Sequence, residues 1–195
     1  METKLRVINE IDKHRAVHLR ALSRIVNTGM PNIKRYIDAF EREGVITTVK
    51  DANLRKVMLQ NHKRTITYLH SVHTERFLAL PKNIQLALTD FLRELPEKPL
   101  IAMIFGSYAN NTYTKTSDID LFLVFAHGVK DFSMITQRVN MRLGVELSPI
   151  YVSYEEFTKN FFNSTHDFSH ELRKKNIVLT GIEHYYELLW RIHDT

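Results

Sequence analysis

Apolar residues near the start of the chain recur at helical spacing. Leu5, Val7, Ile8 and Ile11 predict a first helix over about Lys4–Lys13. Val17, Leu19, Leu22, Ile25 and Val26 predict a second, ending near Asn27-Thr28-Gly29, where glycine permits a tight turn. Pro31 fits the first turn of a third helix, with Ile33, Tyr36, Ile37 and Phe40 on one face and an end at Gly44. The period then changes. Val45–Lys50 and Leu54–Leu59 are β-prone runs, and Asp51-Ala52-Asn53 between them is a hairpin signal. Three helices followed by a hairpin is the order of a winged helix-turn-helix.

Two further helical patterns follow. His62–Ala79 carries Ile66, Leu69, Phe77 and Leu78, and Asn83–Leu95 carries Ile84, Leu86, Leu88, Phe91 and Leu92. Pro81 separates them, and Pro96 and Pro99 end the second. From there strand and helix patterns alternate. Leu100–Phe105, Ile119–Phe125 and Val145–Val152 suggest strands, with Ile177–Leu179 a small edge strand. Asp131–Leu143 (with Met134, Ile135 and Val139 inward), Tyr154–Phe162, Phe168–Lys175 and Glu183–His193 suggest helices. The expected class is α+β: a winged helix-turn-helix at 1–61, a helical linker at 62–97, and at 98–195 a small mixed sheet flanked by helices.

Composition narrows the choices. The chain has 195 residues and no Cys, which excludes disulfides, thiolate zinc sites, iron–sulfur clusters and a cysteine nucleophile. Leu100–Phe105 and Leu121–Ala126 are the longest apolar runs and are too short to cross a bilayer. Met1–Arg15 is charged every few residues, unlike a secretory leader, so a cytoplasmic protein with no membrane partner is expected. Charge is uneven: residues 1–80 hold 15 Lys or Arg against 8 Asp or Glu, and residues 81–195 hold 12 against 14. A basic first module suits nucleic acid.

The third helix offers Asn32, Lys34, Arg35 and Arg42 to a major groove, and the hairpin offers Lys50, Arg55 and Lys56 to the backbone. Arg reads guanine and Asn adenine, while Lys and Arg neutralise phosphate. The other reading of this module is protein contact, including a homodimer on two-fold sites. In pattern and element order, residues 1–60 resemble the winged helix domains of prokaryotic transcription regulators.

The segment that carries chemistry runs Ile104-Phe105-Gly106-Ser107-Tyr108-Ala109-Asn110-Asn111-Thr112-Tyr113-Thr114-Lys115-Thr116-Ser117-Asp118-Ile119-Asp120-Leu121. A buried strand ends in Gly-Ser, a polar loop follows, and Asp-Ile-Asp opens a second apolar strand. Residues i and i+2 of a strand share a side, so Asp118 and Asp120 present their carboxylates together. Adjacent carboxylates repel unless a cation joins them. Mg²⁺ takes oxygen ligands of this kind and commonly keeps phosphate oxygens too. Gly106 lets backbone approach a phosphate, and the Gly106 and Ser107 N–H groups could donate to it. His70 and His73 at i,i+3 are a weaker metal pattern with no third ligand nearby.

This segment resembles the Gly-Ser…Asp-x-Asp motif of the polymerase-β-like nucleotidyltransferase superfamily, in its minimal branch. Small members commonly read Gly-Ser-Tyr-Ala-Arg-Gly, a short loop, then Ser-Asp-Ile-Asp-Leu. Gly106, Ser107, Tyr108, Ala109, Ser117, Asp118, Ile119, Asp120 and Leu121 match without a gap, while Asn110 and Asn111 replace Arg-Gly. The likeness spans about residues 98–185 in element order and includes Val178-Leu179-Thr180-Gly181.

The resemblance implies a nucleoside triphosphate substrate and a two-metal Mg²⁺ site, with Mn²⁺ as a substitute. Asp118 and Asp120 would hold the metals, and Gly106, Ser107 and Ser117 the nucleotide. The family often adds a third carboxylate from the next strand. Here Ser148 occupies the expected place, and Glu146, two residues earlier on the same face, is the catalytic and metal-binding alternative. The implied activity moves a nucleoside monophosphate to a hydroxyl of a protein, an RNA end or a small molecule. Two other functions stay open. One is a DNA-binding regulator whose second domain senses nucleotide or is inactive. The other is an antitoxin that nucleotidylates a partner toxin.

Overall fold

A computed structural model describes residues 1–51, 54–127, 131–161 and 167–193. The protein is α+β, and the chain divides into two units, Met1–Glu75 and Arg76–Thr195.

In the first unit, α1 (Thr3–His14) buries Val7, Ile8 and Ile11. Arg15, at φ 61°, ends that helix and turns the chain into β1 (Ala16–His18). Then come α2 (Leu19–Val26) and α3 (Met30–Arg42), whose Ile33, Ile37 and Phe40 point inward. The wing is β2 (Ile46–Asp51) and β3 (Leu54–Leu59), and α4 (Lys63–Leu78) follows. The sheet order is β1-β3-β2, antiparallel throughout. This is a winged helix-turn-helix with a third strand.

That strand corrects the sequence reading. Val17 and Leu19 continue an apolar spacing that suits a helix. Val17 is instead buried opposite Val57 of β3, and the helix begins only at Leu19. Long-range pairing overrides local spacing here. Ile25, an inward anchor by its spacing, is 42% exposed. The hairpin connection at Ala52-Asn53 lies outside the described residues.

The second unit begins its packed core with α5 (Lys82–Glu94). Its order continues β4 (Ile101–Ile104), α6 (Gly106–Asn110), β5 (Ile119–Phe125), α7 (Ser133–Leu143) and β6 (Leu147–Ser153). It closes with α8 (Tyr154–Phe161), α9 (Asp167–Lys174), β7 (Ile177–Thr180) and α10 (Ile182–His193). The sheet order is β6-β5-β4-β7, with β5 and β6 parallel and the other pairs antiparallel. The crossover between the parallel strands is α7, as parallel pairing requires.

Alternation on β5 divides the unit into two faces. Ile119, Leu121, Leu123 and Phe125 join Ile84, Leu88 and Phe91 of α5 in the main core. Asp120, Phe122 and Val124 therefore point the other way, and the Phe122 ring lies 5.6 Å from that of Phe157 on α8. Apolar spacing predicts Leu86, Leu78 and Met134 inside, but they are 50%, 51% and 76% exposed. The stripe that α5 buries is the i, i+4, i+7 row of Ile84, Leu88 and Phe91, and Leu86 lies off it. Gly181, at φ +76°, joins β7 to α10, and a Cβ there would overlap the Leu100 carbonyl. Among the described residues no helix is long and apolar enough to cross a membrane.

Candidate active site

The Gly-Ser segment is a short helix rather than open loop. It starts where Gly106 takes φ +63°, a conformation that other residues adopt only under strain. The position also has no room for a side chain, because a Cβ on Gly106 would overlap Oδ2 of Asp120. Backbone and carboxylate thus lie against each other across β4 and β5. The Phe105 N–H donates to the Asp120 carbonyl at 3.1 Å and fixes this approach.

Helix α6 ends at Asn111, which is left-handed at φ 57° and ψ 37°. This is the position where the family resemblance leads one to expect glycine. Asn tolerates that conformation better than most residues, so the turn is preserved without glycine. Asn110 removes the neighbouring cation that Arg would supply.

The loop to β5 is held by hydroxyls. Ser117 Oγ accepts the Thr114 N–H at 2.9 Å and lies 3.2 Å from Thr114 Oγ1, and the Ser117 N–H donates to the Thr114 carbonyl at 3.3 Å. Tyr113 stacks on Tyr108, with ring centroids 4.4 Å apart and planes 7° from parallel. This packing delivers Asp118 to the start of β5. Asp118, just before β5, is exposed, and Asp120, the second residue of the strand, is half-buried.

The electrostatics are one-signed. The Asp120 carboxyl is raised above the ordinary carboxylate range, first by burial and then by the negative charges of Asp118 and Glu171. Tyr108 is raised by burial, then by Tyr113 and Asp118. Among the described residues no Lys or Arg forms an ion pair with Asp118 or Asp120. The Oγ of Ser107 is buried and has no hydrogen-bond partner. A buried hydroxyl without a partner beside two unneutralised carboxylates is an unfinished polar site.

Glu146 and Ser148 occupy different positions relative to that pair. Ser148 lies directly opposite Asp120 in the parallel register. Glu146 precedes β6, and its carbonyl accepts the Ile119 N–H at 2.7 Å. It lines a cleft of about 320 Å³ with Asn83, Tyr108, Lys115 and Ser117. Neither Asp118 nor Asp120 lines this cleft.

The nucleic-acid residues are distributed over two elements of the first unit. Asn32, Lys34, Arg35 and Arg42 are exposed on α3. In the wing, Lys50 and Arg55 are exposed and directly opposite each other, while Lys56 is half-buried opposite Val49. His70 is exposed and His73 buried, so the two differ in access to solvent.

The donor set fits a hard divalent cation. Two carboxylates are enough for Mg²⁺ when substrate phosphate completes the shell. Among the described residues no three His, Asp or Glu side chains gather closely enough to hold a metal by themselves.

A strand thus ends in a glycine-led turn that lies against Asp120 of the next strand. The profile described as "Polymerase beta, Nucleotidyltransferase" matches residues 87–184, half of the chain, and the chain belongs to that family. Comparison with curated proteins gives no match. Among solved structures, the chain is similar to a MarR family transcriptional regulator from Silicibacter pomeroyi. Identity is 22% over 46% of this chain and 74% of that one, with a TM-score of 0.31. It is also similar to a protein from Sulfolobus solfataricus described as a candidate nucleotidyltransferase. There identity is 24% over 45% of this chain and 78% of that one, with a TM-score of 0.29.

Proposed function

We propose that the protein is a divalent-metal-dependent transferase that moves a nucleoside monophosphate from a nucleoside triphosphate to a hydroxyl acceptor. The contact between Gly106 and Asp120, with Asp118 beside it, carries this reading. Asp118 and Asp120 would hold Mg²⁺. When bound, the ion would neutralise the triphosphate and stabilise the departing pyrophosphate. The Gly106 and Ser107 N–H groups would face the terminal phosphates, and the unpartnered Ser107 hydroxyl would donate to one of them. The acceptor oxygen bonds to the α-phosphorus, the bond from that phosphorus to the bridging oxygen breaks, and pyrophosphate leaves. The acceptor proton passes to water or to Glu146, whose cleft opens at the same end of β5. Positioning and charge neutralisation would supply most of the acceleration.

The first unit would bring this chemistry to DNA. Lys50 and Arg55 are like charges held directly opposite, an arrangement that is unfavourable until an anion lies between or above them. Lys34, Arg35 and Asn32 would meet base edges and phosphates from α3.

Incubating the full chain with Mg²⁺, each of ATP, GTP, CTP and UTP, and mixed protein and RNA acceptors tests the transferase reading. Pyrophosphate release by wild type and not by Asp118→Ala/Asp120→Ala is the expected result. Release by neither, with nucleotide still bound, would favour the second reading: a regulator that senses nucleotide. The register supports that alternative by placing Ser148, a non-acid, opposite Asp120. A gel shift on DNA fragments at graded salt tests the first unit. Arg55→Ala is expected to lower the slope of log affinity against log salt by about one.

A further inference from the structure

Among the described residues the most exposed large apolar side chains are Met141 and Met134, 81% and 76% exposed, and both lie on α7. Seven residues are two helical turns, so the pair stands on one stripe about 10 Å apart. Arg138, one turn after Met134, lies in the same stripe. Across from it, α5 adds Leu86, which is half exposed and one turn before Asp90. None of these three apolar side chains belongs to the core.

The charges between the two helices are unevenly exposed. Arg93, Arg138 and Arg142 keep 71%, 62% and 42% of their side-chain surface open, whereas their partners Asp90 and Glu94 keep 13% and 20%. The acids are recessed and the guanidinium groups stand outward. Each guanidinium carries several N–H donors, so pairing with Asp90 or Glu94 leaves donors for a second carboxylate. The seam is thus a cationic, methionine-bearing surface within residues 81–195, where acids outnumber bases 14 to 12. Met and Arg are enriched at protein interfaces while Asp and Glu are depleted, and the flexible thioether adapts to a partner's shape.

We propose that the α5–α7 seam is a docking surface for an acidic amphipathic helix of another protein. Apolar residues seven apart on such a helix match the spacing of Met134 and Met141, and carboxylates beside them meet the outward guanidinium groups. Charge selects this occupant. A helix with basic flanks would bring like charges against Arg93 and Arg138, and a second copy in a two-fold contact would lay the same arginines against each other. The inference stands apart from the transferase reading, since it uses none of the residues of that site.

Two labelled synthetic helical peptides, titrated with the full chain and followed by fluorescence anisotropy, test this docking. Both carry leucines seven apart; one has glutamate flanks and the other lysine. The glutamate peptide is expected to bind about tenfold or more tightly than its lysine twin, and to weaken as salt rises. Met134→Ser/Met141→Ser should lower that affinity about tenfold or more, as loss of central anchors does. Arg93→Glu/Arg138→Glu should reverse the order of the two peptides. The peptide comparison needs no variant, so it decides even where a substitution unfolds the chain. Equal binding of both peptides, binding of neither, or full competition by polyglutamate lacking leucine would overturn the proposal. So would a dimer in sedimentation velocity that Met134→Ser/Met141→Ser dissolves, because a second copy would then occupy the seam. None of these outcomes bears on pyrophosphate release.

Discussion

Two groups of carboxylates in the second unit carry the same charge in opposite surroundings. Asp90 and Glu94 on α5 face Arg142 and Arg138 on α7. Arg142 lies 3.0 Å from Asp90 and 2.8 Å from Glu94, and Arg138 lies 3.4 Å from Glu94. The Arg142 guanidinium holds the Glu94 carboxyl below its ordinary range. Among the described residues Asp118 and Asp120 have no such partner, and Asp120 moves the other way. The first group is complete and serves packing between two helices. The second is unneutralised, and under the proposed function a cation would complete it. Acids left unneutralised beside a buried unpartnered hydroxyl mark where the fold gives up stability for something that binds.

Removing charge from each group should give unequal results. Asp118→Asn/Asp120→Asn should lower nucleotidyl transfer about 10³-fold or more, measured as pyrophosphate release under excess Mg²⁺. Arg142→Ala should leave transfer within about twofold, because the α5–α7 clamp touches no reacting group. A large activity loss in Arg142→Ala would dissolve the contrast.

Gly106→Ala should come next. It forces a non-glycine residue into a left-handed conformation and pushes a methyl into the Asp120 carboxylate. Transfer should fall about 10²-fold, as displaced catalytic groups do. Urea unfolding should show a loss of roughly 1–3 kcal/mol, the range for such backbone strain.

Stability against pH separates the two groups more finely. A raised carboxyl such as Asp120 stabilises the fold fully below its unfolded value of about 3.9, and that contribution is lost as pH rises through the raised folded value. In metal-free protein, Asp120→Asn should therefore raise the melting temperature at neutral pH, with the gain shrinking as pH falls toward about 4. Glu94 runs oppositely. Its contribution is present above about 4.3 and disappears as pH falls through its lowered folded value. Arg142→Ala should give the smallest change, a slight fall in melting temperature at neutral pH that high salt erases.

Much of the site is legible in the sequence alone. The residues Gly106, Ser107, Asp118 and Asp120 announce themselves because short-range chemistry dictates them: a turn that needs glycine, and acids two apart on a strand. Element bounds on the strongly periodic helices also fall within a residue or two, as at α5. What local pattern leaves out depends on distant partners. β1 exists because Val17 finds Val57, which no nearby residue encodes. The helical turn at 106–110 is too short for periodicity to report. Leu86 and Met134 look like core residues by type, and only the neighbours decide that they face out.

The burial of β5 on both faces has a consequence for how securely the acids are held. Apart from Asp120, every residue from Ile119 to Phe125 is buried. A slip of one residue against β4 would turn the carboxylates into the layer of Leu88 and Phe91 and push Leu121 and Leu123 outward. The hydrocarbon interior thus acts as the alignment gauge for the charged end of the strand, and fidelity of strand pairing is a precondition for gathering the acids at all.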